Sequence, residues 1–221
     1  MPRSEFQAQL EALRADVVDL GDLVLTRYDQ ALEAMRSGDV ELARSVRDRD
    51  RDVNRRYLAL ESDCIDLFAL QQPVASDLRF VAASFKILTD LERVGDLATN
   101  LADYAGHTGG ARYPSIDLVA AGAFAGEMLR DAMAAYRAAD AAACRTVAAR
   151  DDELDERCAG AARTVFADLL AAPDADATEA VVDDATRCLL VIRDVERVGD
   201  HAVNVCARTL YATAHDTDLL Y

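Results

Sequence analysis

Apolar residues recur along this chain at spacings of three and four, the period of one face of an α-helix. After Ser4, a candidate N-cap, Leu10, Leu13, Val17, Leu20, Val24, Tyr28, Leu32 and Met35 predict one long amphipathic helix. It ends at Ser37-Gly38, where glycine offers a left-handed cap and Asp39 can cap the next helix. That second helix is predicted from Val40 to about Leu70 without interruption. Its charged run, Arg47 to Arg56, reads as a solvated face held by intrahelical ion pairs. Pro73 breaks the pattern, and Ser76 or Asp77 restarts it as a third helix carrying Leu78, Val81, Phe85, Leu88, Glu92, Asp96 and Asn100. There the apolar stripe runs into carboxylates.

Gly106 to Pro114 is the strongest linker pattern in the chain. Beyond it, Ser115 can cap a fourth helix reaching about Ala139, and Asp140 a fifth reaching about Leu170. Pro173 marks a turn, and a sixth helix continues past Asn204 towards Ala212 before a frayed tail from Thr213. Alternating strand patterns do not occur. The expectation is an all-α fold of two tandem three-helix bundles: a first repeat over residues 1–108, a linker over 109–113, a second repeat over 114–214 and a tail over 215–221.

The repeat rests on two nearly identical stretches, Asp90-Leu91-Glu92-Arg93-Val94-Gly95-Asp96-Leu97-Ala98-Thr99-Asn100-Leu101 and Asp194-Val195-Glu196-Arg197-Val198-Gly199-Asp200-His201-Ala202-Val203-Asn204-Val205. Glu92 with Asp96, and Glu196 with Asp200, stand one helical turn apart, which brings each pair of carboxylates within about 6 Å on one face. Asn100 and Asn204 add a neutral oxygen a turn further on. In the middle helices, Asp50 with Asn54 and Asp151 with Asp155 repeat the spacing. Two helices then supply four oxygen donors per site, as suits Mg²⁺, Mn²⁺ or iron. Carboxylates on a core-facing stripe would cost several kcal/mol unless paired, protonated or bound to a cation. Gly95 and Gly199, each costing about 1 kcal/mol in mid-helix relative to alanine, call for a close approach by a metal cluster, its waters or a neighbouring helix. The competing reading pairs the acids with Arg93, Arg197 or the arginines of the second helix. Duplication in register favours the metal.

Other features narrow the function. A net charge of −16 without a basic patch disfavours nucleic acid as a partner. Five cysteines, with no Cys-x-x-Cys pair, read as buried apolar residues. No apolar run approaches the roughly 18 residues of a membrane span, and the first residues lack a signal-peptide core, so no membrane insertion and a cytoplasmic location are expected. His201 sits beside Asp200, but a lone helical histidine is usually packed or solvated. The Glu-x-x-His of ferritin-like di-iron sites is missing, as are phosphate loops, nucleophile elbows and kinase signatures.

The two Glu-Arg-Val-Gly-Asp stretches, together with Gln72-Pro73-Val74-Ala75-Ser76-Asp77-Leu78-Arg79, resemble the signatures of the PhoU family of phosphate-transport accessory proteins. The resemblance covers essentially the whole chain. It implies an all-α, homodimeric, cytoplasmic regulator that is not an enzyme. Such a protein would restrain phosphate uptake and the phosphate-starvation response by coupling the ATPase of a phosphate ABC transporter to a sensor histidine kinase. It also implies metal sites, with Mg, Mn, Fe or Zn held by Glu92, Asp96, Asp50 and Asn54 in one half and by Glu196, Asp200, Asp151 and Asp155 in the other. The second half lacks a counterpart of Gln72 to Asp77, as is usual in this family. Asn54 in place of Asp155 makes the first site less anionic, so weaker metal binding is expected there. A metal-dependent hydrolase and a purely structural helical module are the alternatives; phosphatase turnover and metal content separate them.

Overall fold

The structure, a computed structural model, describes residues 3–70, 75–108, 116–171 and 179–220. Eight helices follow one another: α1 (Arg3–Ser37), α2 (Val40–Asp48), α3 (Asp50–Leu70), α4 (Ala75–Thr108), α5 (Leu118–Ala138), α6 (Ala141–Ala148), α7 (Asp151–Ala171) and α8 (Glu179–Ala214). There is no strand among the described residues.

The six expected helices become eight because both middle helices are broken, which corrects the prediction of a continuous Val40–Leu70 helix. α2 stops at Arg49 (φ −100°, ψ 5°), whose backbone N–H turns back to the Arg47 carbonyl. α3 begins at once, with Asp50 and Asp52 in its first turn. In the second half, the Arg150 N–H donates to the Val147 carbonyl at 3.0 Å, and α7 opens on Asp151, Asp152 and Glu153. An acidic residue near the unpaired N–H groups of a helix start stabilises it by about 0.3–1 kcal/mol. The aspartates therefore favour a new helix start, an alternative to the ion-pair ladder read from sequence. The charged run also reaches outside its own helix: Arg47 pairs with Asp103 on α4 at 3.1 Å, and Arg56 approaches Asp19 on α1 at 3.5 Å.

Gly38 takes φ 70° and Asp39 caps α2 by accepting from the Leu42 N–H at 3.0 Å, as the pattern predicts. Asp140 caps α6 in the same way, accepting from Ala142 and Ala143. Asp117 caps α5, accepting from the Ala120 N–H at 2.8 Å. Ser4 and Ser76 fall inside their helices instead of preceding them. Pro73, Pro173, Ser115 and the linker over 109–113 lie outside the described residues. The tail is better anchored than expected: α8 extends to Ala214, Asp216 pairs with Arg145 of α6, and Arg79 of α4 contacts the His215 ring.

Within each half, the first and last helices pack along each other, with the broken middle helix against both. The halves meet through α4 against α8 and α1 against α5. All eight apolar residues of the α1 stripe are buried, and one contiguous core runs through both halves. Fully burying a large apolar side chain such as Leu91 or Leu129 contributes about 1.5–3 kcal/mol. The α1–α5 contact is close: a Cβ on Gly122 would lie 2.5 Å from Leu32 Cδ2, and the Tyr28 hydroxyl donates to the Gly122 carbonyl at 2.9 Å. The five cysteines are buried thiols. No helix among the described residues is long and apolar enough to cross a membrane.

Candidate metal centres

The breaks place Asp50 and Asp151 at the first residue of α3 and α7. The mid-helix glycines hold those helix starts against the acidic turns. A Cβ on Gly95 would meet Val53 Cγ1 at 3.1 Å, and one on Gly199 would meet Leu154 Cδ2 at 2.2 Å and Asp151 Oδ1 at 3.5 Å. The neighbouring helix, one of the visitors that the glycines could admit, makes this close approach in both halves.

In the first half, both Asp50 oxygens have partners. One accepts from Asn54 Nδ2 at 3.0 Å and the other from the Thr99 hydroxyl at 3.4 Å. Asp50, Arg93, Asp96, Thr99, Asn100 and Arg197 line a cavity of about 290 Å³. Partial burial, then Asp96 and Asp50, raise the pKa of Glu92, against Arg93 and His201. Partial burial and Asp50 raise that of Asp96, against Arg93 and Arg197.

The second half is more strained. The Asp151 carboxyl is pushed up to about 6, by burial first and then by Asp155, Asp200, Asp152 and Glu196. Its Oδ1 is buried without a hydrogen-bond partner. Burial and Asp155 raise both Glu196 and Asp200, although the neighbouring Arg197 and His201 oppose the shift at Asp200. Four carboxylates thus repel one another where α7 begins against α8.

Two parts of the sequence expectation change. The carboxylates do not sit in the core stripe. That face of α4 is Leu91, Val94, Leu97, Ala98 and Leu101, while Glu92 is half-buried and Asp96, Glu196 and Asp200 are exposed. A residue one turn beyond an apolar position drifts to the edge of the stripe, and the glycines give the inner position to Val53 and Leu154. Asn100 and Asn204, grouped by spacing with the carboxylates of their own halves, turn their amide nitrogens to the other half. Asn100 donates to Asp194 and Asn204 to Asp90, each at 3.1 Å.

Asp90 and Asp194 therefore matter, although sequence reasoning passed over them; the available signal was their place in register at the head of both repeated stretches. Arg93, Arg197 and Thr99 were likewise not counted among the site residues. Among the described residues, no three His, Cys, Asp or Glu side chains stand ready to hold an ion. Cation binding would require side-chain rotation. The donor chemistry fits: the oxygens are hard, burial and then neighbouring carboxylates raise the proton affinity of Asp151, Glu196 and Asp200, and Asp151 Oδ1 lacks a partner.

The PhoU domain model matches residues 17–105 and 118–209, once in each half. The chain belongs to the PhoU family. A phosphate-specific transport system accessory protein PhoU homolog from Clostridium acetobutylicum is 30% identical, over 99% of this chain and 99% of its own. A homolog of the same description from Synechocystis is 31% identical, over 95% of this chain and 91% of its own. The crystal structure of PhoU from Pseudomonas aeruginosa superposes with a TM-score of 0.88 at 27% identity, covering 96% of this chain and all of that one. The two PhoU domains are α1–α4 and α5–α8, so both acidic turns fall at the same place in the PhoU fold.

Proposed function

We propose that this chain is a cytoplasmic, metal-binding regulator that restrains phosphate uptake and phosphate-starvation signalling. In this reading it acts as a homodimer between the ATPase subunit of a phosphate ABC transporter and a sensor histidine kinase. Relatives named accessory proteins of a phosphate-specific transport system support a regulatory role over an enzymatic one. The observation that carries the metal reading is the Asp151, Asp155, Glu196 and Asp200 cluster, with Asp151 Oδ1 buried and unpartnered. A divalent cation there relieves repulsion that otherwise raises the proton affinity of the cluster. Asp50, Glu92 and Asp96, with Asn54, would form the second, less anionic site. Mg²⁺, Mn²⁺, iron and Zn²⁺ are all compatible with these donors.

Elemental analysis tests this on protein purified without added metal, beside a variant carrying Glu92→Ala, Asp96→Ala, Glu196→Ala and Asp200→Ala. Metal kept by the parent and lost by the variant supports the reading. No metal in either, even after incubation with each cation, refutes it. Co-purification with the transporter ATPase or the kinase, with and without metal, then separates the two partners.

A further inference from the structure

The seam between the halves carries two arginines that face the acidic turns. Arg93 of α4 and Arg197 of α8 hold equivalent places in the two repeated stretches, and both line the cavity of about 290 Å³. Neither guanidinium closes an ion pair or a side-chain hydrogen bond among the described residues, although Arg93 offsets the charge of Glu92 and Asp96, and Arg197 that of Asp96 and Asp200. Beside them, the Thr99 hydroxyl is held only by long bonds, 3.3 Å to the Gly95 carbonyl and 3.4 Å to Asp50. The Asn100 amide nitrogen gives one hydrogen to Asp194 and has a second to offer.

We propose that this cavity is an oxyanion site that takes inorganic phosphate once the adjacent carboxylates carry cations. A guanidinium is a planar fork that matches two phosphate oxygens, and two forks with the second Asn100 hydrogen and a Thr99 hydroxyl turned from Asp50 suit a tetrahedral dianion. Asp50 and Asp96 share the cavity and repel a bare anion. A divalent cation on those carboxylates reverses the local sign. Phosphate and cation then bind with reciprocal coupling, each tightening the other by the same factor. Neither half holds both arginines, so the ligand needs the α4–α8 seam intact. This rests on the cation reading and adds to it the ligand that the seam would sense.

Isothermal titration of the full chain tests both layers. Mg²⁺ is titrated first, then inorganic phosphate into Mg²⁺-saturated protein and into cation-free protein, for the parent and for Arg93→Gln/Arg197→Gln. The expected result is saturable phosphate binding by the Mg²⁺-loaded parent, at least about tenfold weaker without Mg²⁺ and about tenfold weaker in the double variant. Circular dichroism checks that the variant folds; if it does not, Arg197→Lys, which keeps the charge and loses the fork, takes its place and should also weaken binding. Mg²⁺ binding without saturable phosphate binding overturns the oxyanion site and leaves the cation reading intact. Absence of Mg²⁺ binding overturns both. Phosphate binding that is indifferent to Mg²⁺ or to the arginines also overturns the proposal.

Discussion

The amide nitrogen of Asn100 on α4 lies 3.1 Å from the Asp194 carboxylate on α8 and donates to it. The related contact runs the other way, from Asn204 on α8 to Asp90 on α4, so the two helices cross antiparallel about a local twofold. The clasps are similar without being identical. Asp90 also holds His201 Nδ1 at 2.9 Å, where the first half has Leu97, and Asp194 is completed by Arg193 of its own helix. The acidic sites are thereby fixed relative to each other.

Breaking one clasp should loosen the seam. Asp194 is only 4% exposed, so Asn100→Ala leaves a buried carboxylate with Arg193 as its remaining partner. The expected cost is about 1–2 kcal/mol in urea denaturation. A double-mutant cycle with Asp194→Ala should give a coupling of at least about 0.5 kcal/mol. Strict additivity would mean that the contact does not hold the halves together.

The two mid-helix glycines should respond unequally to alanine. At Gly95 the methyl group meets Val53 at 3.1 Å, a small overlap that the roughly 1 kcal/mol gain in helix propensity can offset. At Gly199 it meets Leu154 Cδ2 at 2.2 Å, and Leu154 is fully buried, so its side chain must repack within the core to make room. Thermal melts should show Gly95→Ala near neutral and Gly199→Ala destabilised by about 1–3 kcal/mol. Equal effects would indicate that α7 shifts away freely.

Stability should depend on pH through Asp151. Its carboxyl holds a proton up to about pH 6 in the fold, against 3.8 ordinarily, because of burial and its acidic neighbours. Between those values the folded state binds more protons than the unfolded one, so the stability of the cation-free protein falls as pH rises through that window. Acidifying from pH 7.5 to 5.5 should raise the melting temperature by a few degrees. Saturating Mg²⁺ or Asp151→Asn should shrink that gain, because either removes the repulsion that the proton relieves.

The helical period made much of the fold legible. The stripe from Leu10 to Met35 is buried throughout, and Asp39 and Asp140 cap helices as composition says they should. The breaks before Asp50 and Asp151 were not legible, because neither glycine nor proline marks them. The same aspartates support an ion-paired helix or a new helix start, and only packing against α4 and α8 decides between the two. At the site, spacing brought Glu92 with Asp96 and Glu196 with Asp200, since a helix fixes residues one turn apart. Spacing could not show where Asn100 and Asn204 point, because a partner on another helix leaves no trace in local periodicity. For the same reason the seam arginines looked like neutralising charges for their own helix, although Arg197 lines the cavity of the opposite half.

The two acidic turns should differ in cation affinity. In the first half, Asp50 is occupied by Asn54 and Thr99, and Arg93 and Arg197 already offset the charge of Asp96. A cation entering there must displace hydrogen bonds and compete with two fixed positive charges. In the second half, Asp155 replaces the amide, and Asp151 presents a buried oxygen without a partner, so a cation there relieves repulsion instead of breaking contacts. Titrating Mn²⁺ into Glu92→Ala and Glu196→Ala should therefore remove a weak site in the first case and the tighter one in the second. A difference of about tenfold between the sites corresponds to about 1.4 kcal/mol. Asn54→Asp should narrow the gap by restoring the missing carboxylate. Equal losses in the two alanine variants would mean that the hydrogen bonds on Asp50 break at no cost, and that the difference between the halves has no bearing on metal binding.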